Sequence, residues 1–597
     1  MKKGIFALAI TSLLLITGCK HNKNTSSSTD SSSSTDSSEI VGNFEDVTRK
    51  AYKGRTVEDI VLRFYKETPN VPYIEVAQYF ETFYFLSLDT EFSNGVVSYT
   101  GDRDAHITVD AEHDIFTTSD VDKICWLEQF DDIVAYATME NQYISEVEDR
   151  EFNLASYNID LKEHDGKGYV PLTTLNNIYA WIFGYSVSYN GKNVYVINDS
   201  AEVYDYASIS NYSNYYAPFN GYSKLPSDLV EFNYNELCFS IDNLTGHPLQ
   251  MLAGKSALET KGLDTYLNDF PVIKAGLQST DKEFYKYTQY WFHTILMYDG
   301  GHAGALYGDP YENEYKDMLI DDLGSLKDEY VHRDNRKFMT YIYAEEAKEN
   351  AFNEAASGSV YYHADKTHNI AYIGFDGFNV NYEAWERYYK TLAAVPADAN
   401  DTWTYLRNRI NYAKNTDHIT NIVFDLTTNG GGDVLALLGI GSLFADGNAK
   451  VVTKNIINQN YVNLVSRIDR NLDGQFNDLD NANGYDGIHF AVLTSHYSFS
   501  CGNGLPTIAK DKGVMVIGEK SGGGSCFVGV YNDAFGLPYR ISGVTKLHNE
   551  AHQENDLGIS VDADLVPDTM DTWGHNFYNH CYDTARVSSL MDEFYNN

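Results

Sequence analysis

The sequence predicts a multidomain chain: an α/β domain at the C-terminal end, a helical segment leading into it, and a small α+β domain before that. Three observations carry this reading. With 597 residues the chain is too long for one hydrophobic core, and its hydrophobic share of 43% is ordinary for a folded protein. From Asn369 onward short apolar runs alternate with helical ones, which argues for a mainly parallel sheet. Before about residue 206 the pattern is one of short strands with helical pieces.

Residues 1–18 read as a secretory leader. Lys2 and Lys3 precede an apolar run from Ile5 to Ile16 that is too short to span a bilayer comfortably. Leu15-Ile16-Thr17-Gly18-Cys19 resembles a bacterial lipobox, which implies cleavage before Cys19 and a lipid anchor on it. The plainer alternative is an ordinary signal peptide cut nearby. Either places the protein outside the cytoplasm, and the lipobox places it on a bacterial cell membrane. Residues 19–43 read as a flexible tether, nearly pure Ser, Thr and Asp from Thr25 to Ser38.

Residues 44–205 read as the α+β domain. Val71-Pro72-Tyr73 and Val170-Pro171-Leu172 look alike, and Tyr185 to Val196 alternates around Asn190-Gly191, the signal of a hairpin with a type I′ turn. This region is similar to the stalk-like N-terminal domain of copper amine oxidases, which implies a spacer or binding module and no copper site. Residues 206–300 read as helical: Leu229, Phe232, Leu237 and Ile241 share one side, and an aromatic run extends from Phe284 to Met297. Residues 301–597 hold the α/β core, with strands at Ile370–Phe375, Asn421–Leu426, Val451–Ile456, His489–Thr494 and Val514–Ile517. Helices are expected at Trp385–Ala413, Asp433–Phe444 and Leu505–Lys510.

A formal charge of −40 excludes nucleic acid as a partner, since nothing here would displace counterions from phosphates. Beyond Cys19 there are five cysteines, an odd number without metal-type spacing, leaving room for one disulfide whose pairing the sequence does not give.

Three pieces carry chemistry. Phe424-Asp425-Leu426-Thr427-Thr428-Asn429-Gly430-Gly431-Gly432 is a strand running into a glycine turn, whose unhindered amides suit an oxyanion; tight packing is the plainer use. Ser500, in Ser498-Phe499-Ser500-Cys501-Gly502, falls between a buried strand and a helix, where a nucleophile benefits and where a helix-capping serine also belongs. His302, in Asp299-Gly300-Gly301-His302, suits a general base or a structural histidine.

In this order the pieces resemble the catalytic domain of the tricorn and C-terminal-processing serine peptidases, from about Pro226 to the C-terminus. The resemblance implies a crotonase/ClpP-like α/β core with a helical cap, peptide or protein substrates, and no catalytic cofactor. It assigns Ser500 as nucleophile, His302 as base, and N–H groups of Gly431 or Gly432 and of Cys501 as the oxyanion hole. The lysine of the bacterial enzymes is not matched: glycine stands where it would fall in Gly518-Glu519-Lys520-Ser521-Gly522-Gly523-Gly524, and Lys520 comes too early. The tricorn type instead implies an orienting glutamate, here Glu554, although an insertion precedes Val566-Pro567-Asp568 and Gly301 replaces the serine expected before the histidine. No segment resembles a PDZ domain.

Separately, Asp469, Asn471, Asp473, Gln475, Asn477 and Asp480 follow the calcium-loop pattern D-x-N-x-D-G, with Asp in the last position where Glu is usual. An unmetallated Asp/Asn/Gly turn is the plainer reading. Two rival functions remain: a catalytically inactive peptidase fold serving as a surface binding module, and a zinc hydrolase built on His548 and His552 if that segment is helical.

Overall fold

The computed structural model describes residues 42–597 except 54–55, 102–104, 120–128, 145–148, 184–185, 198–221, 307–313, 353–357, 393–394, 397–399, 446–447, 482–484, 570, 572–573 and 597. The expected leader, Cys19, nearly all of the tether, Cys125 and the start of the helical segment lie outside the described residues. No described helix is long and apolar enough to cross a membrane.

The predicted parallel sheet is present. Its strands lie in the order Tyr361–Asp365, Ile370–Gly374, Asn421–Asp425, His489–Thr494, Met515–Gly518 and Ala563–Asp564, and only the first pair is antiparallel. Strands covered on both faces must be apolar throughout, and the four central ones are buried along almost their whole length. Alternate residues divide between two cores. Ile373, Phe424, Val492 and Val516 face one, with helices Thr402–Tyr412, Val434–Gly441 and Cys501–Asp511. Tyr372, Val423, Leu493 and Ile517 face the other, with the long helix Ser325–Phe352 and the C-terminal helices.

Several expected boundaries shift. The helical stretch Trp385–Ala413 is two helices, Tyr382–Thr391 and Thr402–Tyr412; Leu392 ends the first at φ 50° and Asp401 caps the second by accepting from the Thr404 N–H. Val451–Ile456 belongs to a different sheet: strand Asn448–Asn455 turns back antiparallel onto Tyr461–Ile468. The hairpin at Asn190-Gly191 forms between Ser186–Tyr189 and Val194–Ile197, but its turn is not type I′. Only Gly191 has positive φ, and the Asn190 side chain accepts from Lys192 and Asn193 N–H groups instead.

Residues 44–205 are not a self-contained stalk. Strand Ala137–Tyr143 pairs along Tyr461–Ile468, far along the chain, and Tyr136 is fully buried between Trp385 and Trp403. Most of the remaining N-terminal strands form two sheets, and one continuous core joins them to helix Ser227–Leu244 and to residues near Tyr531–Val544. Asn177, Ser186 and Asn532 are hydrogen-bonded across that junction.

Tyr136 fills the gap beside Gly439 that no side chain of the later region fills. Tyr136→Ala should lower unfolding free energy by about 3–5 kcal/mol, the usual result of emptying a buried aromatic site. Urea unfolding followed by tryptophan fluorescence measures it. A loss under about 1 kcal/mol would mean that the N-terminal hairpin is loosely docked.

Candidate active site

The parallel strands end together at one edge of the sheet, and the loops that follow them are stitched to one another there. Leu426 N–H donates to the Leu493 carbonyl, Ser495 Oγ to the Thr427 carbonyl, Ser498 Oγ to the Leu426 carbonyl, and Phe499 N–H to the Asn429 carbonyl. Such an edge is where open α/β sheets place their ligands.

Ser500 sits on this edge at φ 57° and ψ −121°, immediately before helix Cys501–Asp511. A non-glycine residue in that region costs about 1–3 kcal/mol and persists only where its surroundings impose it. Its N–H donates to the Gly523 carbonyl, and its carbonyl accepts from Asn503 and Gly504. The side chain makes no capping hydrogen bond to the helix, so the capping explanation of this serine does not hold. It is half-buried at the positive end of the helix.

The glycine turn packs directly behind it. A Cβ on Gly431 would lie 2.6 Å from Ser500 Cβ and 3.0 Å from the Cys501 nitrogen. The Gly431 N–H is already donated to Asn429 Oδ1 at 2.9 Å, which removes it from the expected oxyanion hole. Gly432 and Cys501 remain: neither N–H donates to a described residue. Gly432 bridges Phe378 through its neighbours' peptide groups, and in such a parallel bridge its own N–H points away from Phe378. Its carbonyl, on that same side, accepts from Cys501 Sγ at 3.0 Å.

His302 is buried. Asp299 shapes its loop: Oδ1 accepts from the N–H groups of Gly301, His302 and Ala303, and Oδ2 accepts from Ser542 Oγ at 2.6 Å. The Ser542 oxygen lies 3.4 Å from His302 Nδ1. With the Ser542 proton given to Asp299, the imidazole contributes its own proton at Nδ1, which leaves the Nε2 lone pair open. Nε2 has no hydrogen-bond partner among the described residues. The Phe499 ring packs on the imidazole at 4.7 Å between centroids, so the His302 and Ser500 segments touch, but no hydrogen bond joins the two residues. Burial pushes the imidazole down to about 4, against the nearby Asp299 carboxylate and with help from Arg540 and Lys337.

Glu554 does not reach this group. Its carboxylate pairs with the buried Lys546 ammonium at 2.5 Å. The acid beside His302 is Asp299, acting through Ser542. The Asp-Gly-Gly-His spacing is the signal for it, since a short acidic side chain commonly accepts from N–H groups two and three residues on.

The other expected sites divide similarly. The Asp469–Asp480 loop closes on its own N–H groups: Asp469 accepts from Asp473 and Gly474, and Asp480 from Arg470, Asn471 and Asn477. Gln475 N–H donates to Asp473, and Asn471 Nδ2 also reaches it. Among the described residues no group of three or more His, Cys, Asp or Glu is placed to hold a metal ion. His548 ends a strand and His552 lies in a turn at φ 61°, so the helical face required by the zinc reading does not exist. Cys238, Cys501, Cys526 and Cys581 are free and buried, so no disulfide joins described residues.

Gly431→Ala should slow phosphonylation of Ser500 about a hundredfold, because displacing the reacting group by about an ångström costs that much. Labelling rate against a fluorophosphonate measures it; an unchanged rate would mean that the turn does not set the position of the serine.

No curated protein sequence matches the chain. Among solved structures, it resembles the photosystem II D1 C-terminal processing protease at 18% identity and a TM-score of 0.25. That match covers 36% of this chain and 47% of the other, about half its length. A peptidase-like protein from Parabacteroides merdae matches at 18% identity over 44% of this chain and 79% of its own, with a TM-score of 0.29. A lipoprotein from Streptococcus agalactiae matches at 10% identity over 57% of this chain and 93% of its own, with a TM-score of 0.33. Residues 369–565, which carry the glycine turn, Ser500 and the glycine run after Glu519, match the family model described as Peptidase family S41.

Proposed function

We propose that the protein is a serine-type peptidase in which Ser500 attacks the scissile carbonyl of a peptide or protein. The conformation of Ser500 carries this reading: a hydroxyl free of capping duty, held at strained φ at the head of a helix, beside the unengaged amides of Gly432 and Cys501. His302 Nε2 takes the serine proton as the bond to carbon forms, and returns it to the leaving amine. The amides of Gly432 and Cys501 receive the developing oxyanion. Ser542 and Asp299 hold the opposite side of the ring. Water then repeats the sequence on the acyl-enzyme and frees the acid product.

The family match supports the reaction class. A crotonase/ClpP-like core, a lipid anchor at Cys19 and a place on the outer face of a bacterial membrane belong to the same proposal. The strand–helix alternation and the Leu15–Cys19 segment support them.

Purified protein, without its first 41 residues, should label with a fluorophosphonate, while Ser500→Ala and His302→Ala should not. Unlabelled wild type would return the chain to an inactive fold used for binding. Because His302 stays uncharged down to about pH 4, the acid limb of the labelling rate should fall near pH 4 instead of near the ordinary histidine value of about 6.5. A limb near 6.5 would mean that the imidazole is solvated when it acts.

A further inference from the structure

Lys337 lies on the long helix Ser325–Phe352, which covers the site edge. Its ammonium donates to the Gly300 carbonyl, in the loop that Asp299 shapes around His302. A Cβ on Gly301 would lie 3.3 Å from Nζ, so the ammonium packs closely against the glycine before His302. The same Nζ is 5.1 Å from the centroid of the Phe499 ring, and 5.9 Å from those of Tyr298 and Tyr497. No carboxylate among the described residues forms an ion pair with it, while Lys348, further along the helix, pairs with Glu345. One cation therefore touches both segments that carry the candidate chemistry, in surroundings made of aromatic faces and a carbonyl.

We propose that Lys337 is a positioning residue of the peptidase site: it clamps the Asp299–His302 loop to the Phe499 ring beside Ser500, and its positive charge opposes a second one on the imidazole. The inference rests on the serine–histidine reading given above. The charged and titratable groups facing the imidazole are Asp299 from its own loop, Arg540 from strand Pro538–His548, and Lys337 from the long helix. Those facing Lys337 are Asp299, Asp334, Arg333, and the rings of Tyr298 and Tyr497. Asp299 favours the charged imidazole; Arg540 and Lys337 favour the neutral one, which is the form that accepts the serine proton. Burial also depresses Lys337 itself to about 8, so it carries its charge across the acidic and neutral range where His302 titrates.

Lys337→Met and Lys337→Arg separate a charge effect from simple packing. Removing the charge should raise the His302 titration, and with it the acid limb of fluorophosphonate labelling, by about one pH unit. Lys337→Arg should keep the limb within about a third of that shift, whatever the rate. The His302 titration is also read directly by NMR of histidine-labelled protein, assigned with His302→Gln, so the outcome does not depend on labelling. A titration that stays in place in folded Lys337→Met overturns the proposal, as does one that moves equally in Lys337→Arg. If wild type does not label, or labels equally as His302→Ala, the serine–histidine reading fails and the positioning role fails with it. If only the titration in Lys337→Met is unmoved, that reading stands and Lys337 is a packing residue.

Discussion

The backbone of Ser500 is the constraint on which the site depends. A positive φ at a residue with a Cβ stores about 1–3 kcal/mol, and here the surrounding loops hold it by contact and hydrogen bonding. The glycines around it follow from that. Gly431 lets the first loop lie against the Ser500 Cβ. Gly523 carries the carbonyl that accepts from Ser500 N–H, and a Cβ there would meet the Asp556 carbonyl at 1.9 Å. Gly522 and Gly524 are closed in by the His496 carbonyl and the Phe499 ring at 2.2 and 2.4 Å. At Gly522, Gly523 and Gly524 an added Cβ would therefore meet a backbone carbonyl or the Phe499 ring, while Lys520 and Ser521 just before them carry side chains.

The parallel sheet was legible in the sequence because strands covered on both faces are apolar through their middle, as Ile422–Phe424 and Phe490–Leu493 are. That the glycine turn follows a strand and that Ser500 stands just before a helix was legible because these are chain neighbours within a few residues. The partner of His302 was not. Ser542 lies on a strand 240 residues away in sequence, and nothing local marks a serine in an apolar strand as a hydrogen-bond relay. Glu554 failed for the same reason in reverse. A motif places a carboxylate in the sequence, but the buried Lys546 ammonium eight residues before it is the stronger electrostatic attraction. The hairpin ending at Tyr143 was read as part of a separate domain because alternation says only that a strand has two faces, and not which sheet receives it. Tyr79, Tyr99, Tyr136, Tyr179, Tyr285, Tyr372, Tyr531 and Tyr578 are fully buried, most with their hydroxyls bonded inside.

Strand Pro538–His548 carries Arg540 and Ser542, the groups that face His302, and Gly304–Ala305 just after the histidine pairs with it at Tyr539 and Arg540. The preceding strand Cys526–Asn532, paired along it, is anchored at the hairpin end. Asp533 accepts from Tyr285 and from the N–H groups of Phe535 and Leu537, and Asn532 is bonded to Asn177, Ser186 and Val187 of the N-terminal region. Removing the N-terminal strands would therefore expose hydrogen-bonded groups at the end of strand Cys526–Asn532, which pairs along the strand that carries Ser542. Unpaired buried polar groups cost about 1–3 kcal/mol each, so the strand end would not keep its place unaided. The N-terminal strands share one continuous core with helix Ser227–Leu244 and with Tyr539 and Ile541 of the strand that carries Ser542.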